Sequence, residues 1–511
     1  MENAEAPTRA RPRSSWAWSA VAAGASGGLL LLAFWPVNWP WAAWAALVPV
    51  LALLPRMPPL GALVWGTLLG LVFFRFGLGW MYGIYGPFGT IFILVVAVLT
   101  GVVLRLVRQA MRHLGPSAML WVMPLAWTGL EILRSEGLPR VRFSHLVLGY
   151  SQIHWPWMAQ AASIGGVYLL SLLVVAFNAA LAYAIIRRRW RAAIPAGAVA
   201  ASALLLAALG QPQSYADRPE LTVAAVQEER RDYRLFADWA RQAAEEPHRA
   251  KIIVLPEHTI TETTETDEGL PLVDKLEATA RSAGAWVCVG AHTTPDTVNL
   301  RDPAERARML RDPRRREEFL RQCWYDNAAL LIGPRGTIVG KQLKAVPVPF
   351  LQDGNPAWRQ ESFATPSGRI GMYVCYDESF TDVIRRLVDS GAEILLGPVL
   401  NAHHWPLAQR MQQADMTPMR AIETRRCMVR AASSGVSQII DAAGQVRAHR
   451  LQQDGPGLLV DRAYFNNERT FFVRAGWLLT PAVAWSLLIG APALTLWDWA
   501  ARLLRWRRRK A

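Results

Sequence analysis

Residues 368–378 read GRIGMYVCYDE, a run of small and apolar residues that stops at Cys375, Tyr376, Asp377 and Glu378. A short apolar run bounded by turn-forming residues fits a strand buried on both faces. Its end then presents a thiol and two carboxyl groups where a rigid strand gives way to a loop. KIIVLPE (251–257) has the same form and ends in Glu257, and TIVGKQLKAVPVPF (337–350) carries Lys344. Further runs of this kind are LTVAAVQ (221–227), AWVCVGA (285–291), NAALLIG (327–333), AEILLGPVL (392–400), MVRAASSG (428–435) and VSQIIDAAG (436–444). Helical segments separate many of them, so 210–475 is predicted to form a mixed α/β sheet or sandwich with one large core.

The flanks have a different composition. Over the whole 511 residues only 19% are charged and 52% are hydrophobic, and mean hydropathy is +0.14. Soluble chains carry about 25% charge. The balance excludes a disordered chain, a coiled coil and a nucleic-acid-binding protein, and it predicts a membrane protein. The 23 tryptophans suit a membrane interface, where an apolar ring with one N–H donor sits between dry and wet surroundings. Eight stretches are candidate spans: 17–35, 40–55, 60–80, 88–107, 116–133, 160–186, 191–209 and 476–499. Much of the net charge of +15 lies beside them, at Arg9, Arg11 and Arg13, at Arg105, Arg108 and Arg112, at Arg187–Arg189 and Arg191, and in the tail from Arg505 to Lys510. Basic residues beside spans stay on the cytoplasmic side. Eight crossings with both termini cytoplasmic satisfy every cluster. The expected organisation is therefore seven transmembrane helices in 1–209, an extracytoplasmic domain in 210–475, and in 476–511 an eighth helix with a basic cytoplasmic tail.

Glu257, Lys344 and Cys375 together supply a base, a cation and a nucleophile. A thiol needs a base to become a thiolate, and the oxyanion formed when it attacks a carbonyl needs a fixed cation or N–H donor. Taken singly, a cysteine after an apolar strand is commonly just a small buried hydrophobe. No metal-ligand spacing occurs, since His403 and His404 are adjacent rather than on one helical face, so neither a metal nor another cofactor is expected. Whether Cys288, Cys323 and Cys427 pair is left open by the sequence.

The LPE strand end, the GK-x-x-K loop and the strand ending in Cys-Tyr-acid resemble the nitrilase superfamily. LAFWPVNWPWAAWAALVPVLAL (32–53), WGTLLGLVFFRFGLGWMYG (65–83), the Trp127, Glu131 and Arg134 pattern and LGYSQ (148–152) are similar to its membrane-embedded branch, the apolipoprotein N-acyltransferases. The resemblance implies an αββα sandwich inserted into an eight-helix transmembrane bundle, an α+β membrane protein of the bacterial inner membrane with its catalytic domain on the periplasmic side. It implies that Cys375 takes an acyl chain from a phospholipid as a thioester, that Glu257 is the base, and that Lys344 steadies the oxyanion. The implied acceptor is the amine of a diacylglyceryl-modified cysteine at a lipoprotein N-terminus, and the protein is expected to be a monomer. Tyr376, Asp377, Gln352 and Trp405 are expected to bind substrate.

Several positions depart from the family pattern. Gln352 in VPFLQ stands where the family has Glu and cannot pair ionically with Lys344; Asp377 replaces a Glu; NAHHWP (401–406) and FSHLVLG (143–149) are also atypical. The Arg-rich segment 300–326 reads either as a solvated helix or as a basic lid near anionic headgroups. These departures support an alternative, a divergent membrane acyltransferase or amidase with another donor or acceptor. A non-catalytic transporter or scaffold is disfavoured, because the chain shows no internal sequence repeat and few ionisable residues within its spans.

Overall fold

The computed structural model describes residues 14–510 apart from 138–140, 216, 231, 262–263, 265–269, 294–324 and 352. The chain forms two compact units, one of Glu131–Ser171 with Ser202–Ala482 and the other of Met1–Leu130, Leu172–Ala201 and Val483–Ala511.

The first unit holds two six-stranded sheets, and period-two burial explains both. In β1 (Glu220–Gln227), Val223 and Ala225 point into an inter-sheet core that also receives Ile370 and Met372. Their neighbours Ala224 and Val226 point outward onto Phe236, Ala240, Val273 and Leu276 of the helices Tyr233–Ala244 and Leu270–Ala283. On the far side Tyr373, Met428 and Ile440 meet Ile384, Leu387 and Ala421 of the helices Thr381–Asp389 and Met416–Thr424. The layers are thus helix, sheet, sheet, helix. Strands packed on both faces need apolar residues at every position, which is why β8 (Ile394–Val399) and β9 (Cys427–Ala432) are buried throughout.

The remaining strands are β2 (Ile252–Val254), β3 (Trp286–Thr293), β4 (Asp326–Ile332), β5 (Ile338–Leu343), β6 (Ser362–Thr365), β7 (Gly368–Met372), β10 (Ser437–Ile440), β11 (Val446–Arg450) and β12 (Gly457–Tyr464). One sheet runs β12-β1-β2-β3-β4-β5 and the other β11-β10-β9-β8-β7-β6. Strands β1, β2 and β3 are parallel, as are β7, β8 and β9, and every other pairing is antiparallel. Read from β6, the second sheet repeats the plan of the first: one antiparallel edge, three parallel strands, two antiparallel strands.

The second unit is helical. Among the described residues five helices are long and apolar enough to cross a membrane: Pro59–Gly77 and Pro87–Leu114 within this unit, and Ala162–Arg187, Trp190–Leu209 and Gly476–Trp497, whose residues are divided between the two units. Trp16–Leu32 and Pro40–Arg56 are apolar but shorter, and the helix Met119–Ile132 has 14 residues. Five of the eight expected spans therefore meet the length and hydropathy of a crossing helix among the described residues. Proline accounts for part of the shortfall, since Pro36, Pro40 and Pro49 lack the N–H that a continuous helix needs. Pro59–Gly77 and Pro87–Leu114 pack closely because both present small residues at four-residue spacing. A Cβ added to Gly70 would lie 2.7 Å from Ala97 Cα, and one added to Gly66 2.8 Å from Gly101 Cα. Close backbone approach of this kind drives helix association where lipid offers no hydrophobic gain. Buried Asn178 adds polar glue, accepting from Leu47 N at 2.8 Å and donating to Ala43 O at 2.8 Å.

Candidate active site

Glu257 lies three residues beyond β2, and β3 passes close beside it because residue 290 is glycine. A Cβ there would sit 2.4 Å from Glu257 Cα. Lys344 follows β5 directly and is held in place by its own N–H, which donates to Asn327 O at 2.8 Å. Cys375 begins the 3-10 turn Cys375–Ser379 after β7, with φ of +46°. Left-handed backbone is costly for a residue with a Cβ, so this elbow must be enforced by its surroundings. Asp377 enforces it: its carboxylate accepts from Val374 N at 3.1 Å and Val346 N at 2.8 Å, and from Ala345 N at 3.0 Å. One carboxylate thereby pins the elbow to the loop that carries Lys344. Burial pushes Asp377 up to about 7, against the pull of Lys344 and these amides.

The three expected catalytic side chains come together, and a fourth joins them. Glu257 Oε1 accepts from Lys344 Nζ at 2.8 Å and Asn327 Nδ2 at 2.7 Å, while its Oε2 accepts from Leu400 N at 2.8 Å. Lys344 Nζ also meets Asp353 Oδ2 at 2.7 Å. Asn327 Nδ2 reaches Asp353 Oδ1 at 2.8 Å, so lysine and asparagine each bridge the same two carboxylates. All are buried, Lys344 at 1% exposure and Glu257 at 3%. Burial alone would raise Glu257; the Lys344 and His258 charges and the two donors overcome it and hold the carboxyl at about 2. Lys344 moves the other way: burial disfavours its charge, but Asp353 and Glu257 keep it well above the usual range. Burial and then Glu257 push the Cys375 thiol up, with Lys344 opposing. The resting site is therefore a thiol beside an ammonium that carries two carboxylates. Moving a proton from sulfur to Glu257 leaves its net charge unchanged, which makes thiolate formation feasible in a buried place.

The Cys375 Sγ lies 3.6 Å from Leu400 O and 3.7 Å from Gln413 Nε2. The backbone of Leu400 thus bridges Glu257 and Cys375, giving its N–H to the carboxylate and its carbonyl to the thiol. A charge-paired scaffold of this type suits acyl transfer through a covalent thioester.

Residues 206–462 match the carbon-nitrogen hydrolase profile. The chain belongs to the carbon-nitrogen hydrolase family. Residues 26–180 match in addition the N-terminal domain of apolipoprotein N-acyltransferases. Among similar proteins named apolipoprotein N-acyltransferase, that of Geobacter metallireducens is 26% identical over 91% of this chain and 92% of its own. That of Gloeobacter violaceus is 27% identical over 83% and 84%, and that of Vibrio cholerae 25% identical over 96% and 97%.

For a carbon-nitrogen hydrolase the informative difference from expectation is at Lys344. The absence of an acidic residue at Gln352 left the lysine without a second ionic partner; the structure supplies Asp353, the next residue, in that place. Gln352 itself lies outside the described residues, as do Cys323 and residues 300–324 of the Arg-rich segment. Asp377, expected to bind substrate, is fully buried with its oxygens committed to backbone amides. The Tyr376 hydroxyl donates to Arg142 O at 2.8 Å. Trp405 is half-buried on the loop after β8, its indole beside His404. Cys288, Cys375 and Cys427 are all free thiols. Glu257, His258 and Asp353 place one ligand atom each within 4.8 Å, but Lys344 already balances the two carboxylates there.

Sequence reasoning missed the floor of the site. Residues 142–150, between two apolar helices, pass beneath the elbow. Ser144 Oγ donates to Ser379 O at 2.8 Å and Tyr150 OH to the same carbonyl at 3.1 Å. Arg142 pairs with Glu136 and, at 2.8 Å, with Asp382, and its guanidinium lies 4.7 Å from the Phe380 ring. The FSHLVLG stretch carried this signal as one serine, Ser144, within an apolar run.

Proposed function

We propose that this enzyme is a phospholipid-dependent apolipoprotein N-acyltransferase working through Cys375. Glu257 takes the thiol proton as sulfur attacks the ester carbonyl of a phospholipid, and Lys344 faces the developing oxyanion. Glu257 then returns the proton to the departing lysophospholipid hydroxyl. In the second half the amine of a diacylglyceryl-cysteine attacks the thioester, with Glu257 accepting the amine proton and the sulfur leaving as thiolate. An amine attacks a thioester more readily than the original ester, which gives the two-step route its direction.

The observation that carries this reading is the buried Glu257, Lys344 and Cys375 cluster in a chain that matches N-acyltransferases over nine-tenths of its length. Exposed apolar residues after Lys344 support a lipid substrate: Phe350 is 71% exposed and Trp358 58%. Basic clusters at the helix ends support both termini in the cytoplasm and the catalytic domain on the periplasmic side of the inner membrane, in an eight-span monomer. The test is intact-mass analysis after incubation with phospholipid. One acyl adduct on the parent, removed by hydroxylamine and absent from Cys375→Ala, is expected; an adduct persisting in the Ala variant would refute the assignment. Labelling by an impermeant reagent of a cysteine placed beside Arg509, from outside intact cells, would overturn the topology.

A further inference from the structure

From the sulfur a second line of buried polar groups leads back to a charge. Arg430 is paired with Glu378, its Nε and Nη2 at 3.0–3.1 Å from the carboxylate oxygens. Arg430 Nη2 also donates to Asn401 Oδ1 at 3.1 Å. Asn401 Nδ2 donates to Gln413 Oε1 at 3.0 Å, and Gln409 Nε2 to the same oxygen at 2.9 Å. Gln413 Nε2 then lies 3.7 Å from Cys375 Sγ. Glu378, Asn401 and Arg430 have no exposed surface and Gln413 has 1%.

The direction of this line is fixed by chemistry. Arginine only donates, so the end of Asn401 facing it is the carbonyl. The other end of Asn401 is then the NH2 group, which makes the facing atom of Gln413 its oxygen. Gln413 is left with its NH2 toward the sulfur. Neither Asn401 nor Gln413 can turn over without setting two donors against each other in a place buried from solvent.

We propose that Gln413 is the amide donor that stabilises the Cys375 thiolate, oriented by Arg430 through Asn401. The proposal rests on Cys375 being the nucleophile. While sulfur is protonated it can donate to Leu400 O, and the Gln413 N–H faces a neutral acceptor. When the proton leaves, the same N–H faces an anion, and a charge-assisted hydrogen bond is about twice as strong. The contact therefore favours the reacting form over the resting one. It complements Lys344: the lysine is held by two carboxylates and faces the oxyanion, while Gln413 meets the thiolate itself.

The test is the pH dependence of Cys375 alkylation by iodoacetamide in the full chain in detergent, followed by peptide mass. The midpoint reports the thiolate fraction and the plateau rate reports access, so a change in packing alone does not move the midpoint. Gln413→Leu should raise the midpoint by about one pH unit, a tenfold slower reaction at a fixed pH below it. Asn401→Asp accepts from Arg430 but cannot donate to Gln413; it should give a similar shift, and the double variant no more than the larger single one. Gln413→Glu, isosteric and anionic, should shift the midpoint further in the same direction. An unchanged midpoint in folded Gln413→Leu, or additive shifts in the double variant, would overturn the relay. These readouts do not use phospholipid: a parent that takes no acyl chain yet shows the shifts ends the acyltransferase reading and leaves the relay standing.

Discussion

Asp353→Asn is the most informative single change at the site. The substitution keeps shape but removes one of the two negative charges on Lys344, whose Nζ lies 2.7 Å from Asp353 Oδ2. It also creates a conflict. Asp353 Oδ1 now accepts from Asn327 Nδ2, and Oδ2 accepts from Lys344 Nζ and from Val348 N at 2.7 Å. An asparagine must turn its NH2 toward one of these donors. Breaking one side of a buried ion pair costs about 3–5 kcal/mol; here Lys344 retains Glu257, and a lost charge-assisted hydrogen bond costs about 1.5–3 kcal/mol. We expect roughly 2–3 kcal/mol. With Lys344 drawn onto Glu257 alone, the base is less able to take the thiol proton and the ammonium is displaced from the oxyanion. If the loss falls on the transition state, acylation slows by about 30- to 150-fold. The assay is single-turnover thioester formation by intact mass, with thermal unfolding measured in parallel. Acylation within threefold of the parent would refute the argument that Asp353 is the second carboxylate of the site.

Gln352→Glu, which restores the acidic residue expected by spacing, should change acylation by less than about threefold, because Asp353 already supplies the charge; a tenfold gain in the same assay would show otherwise. Glu257→Gln and Lys344→Met should each block thioester formation rather than only its turnover, by about 10²–10⁴ for the base and 10²–10³ for the oxyanion donor. Either variant acylating at the parental rate would remove that residue from the first step. The Glu257 carboxyl is held at about 2 against an ordinary 4.5. Its stabilising contribution is present above pH ~4.5 and lost as pH falls toward 2. Denaturant titrations at pH 6 and pH 3 should show a smaller acid destabilisation for Glu257→Gln than for the parent, and equal destabilisation would contradict the ion-paired assignment.

What the sequence revealed followed burial. Nine strand runs were legible, most of them because strands covered on both faces leave near-continuous apolar stretches such as ILLGPV. β6, β11 and β12 escaped notice, since edge or half-covered strands admit charge: VRAHR alternates between half-buried and exposed, and β12 carries Asp461 and Arg462. The triad was legible because each member sits at or near the end of such a run. Asp353 was not, because a loop can bring either of two neighbouring residues to the same ammonium, and spacing favoured Gln352. Gln413 and Asn401 escaped for another reason: an amide acquires meaning only from what fixes its orientation, and Arg430 is 17 and 29 positions away from them in the chain. Among the helices, the 14 residues of Met119–Ile132 stop where the helix widens into the turn Leu133–Gly137, whose Glu136 accepts from Thr381 Oγ1 at 3.1 Å.

The repeated plan of the two sheets has a consequence for synthesis. β1 is followed at once by β2 and β3, but its other neighbour is β12, the last strand made, paired with it from Glu220↔Tyr464 to Gln227↔Gly457. Until residue 464 has left the ribosome, the sheet that carries Glu257 has an open edge along β1. Glu257, Lys344 and Cys375 are all translated long before that moment. A nascent or truncated chain thus carries every reactive group while an unpaired β1 stands as a template for aggregation. The last strand closes the sheet: the exposed edge disappears only with the finished domain.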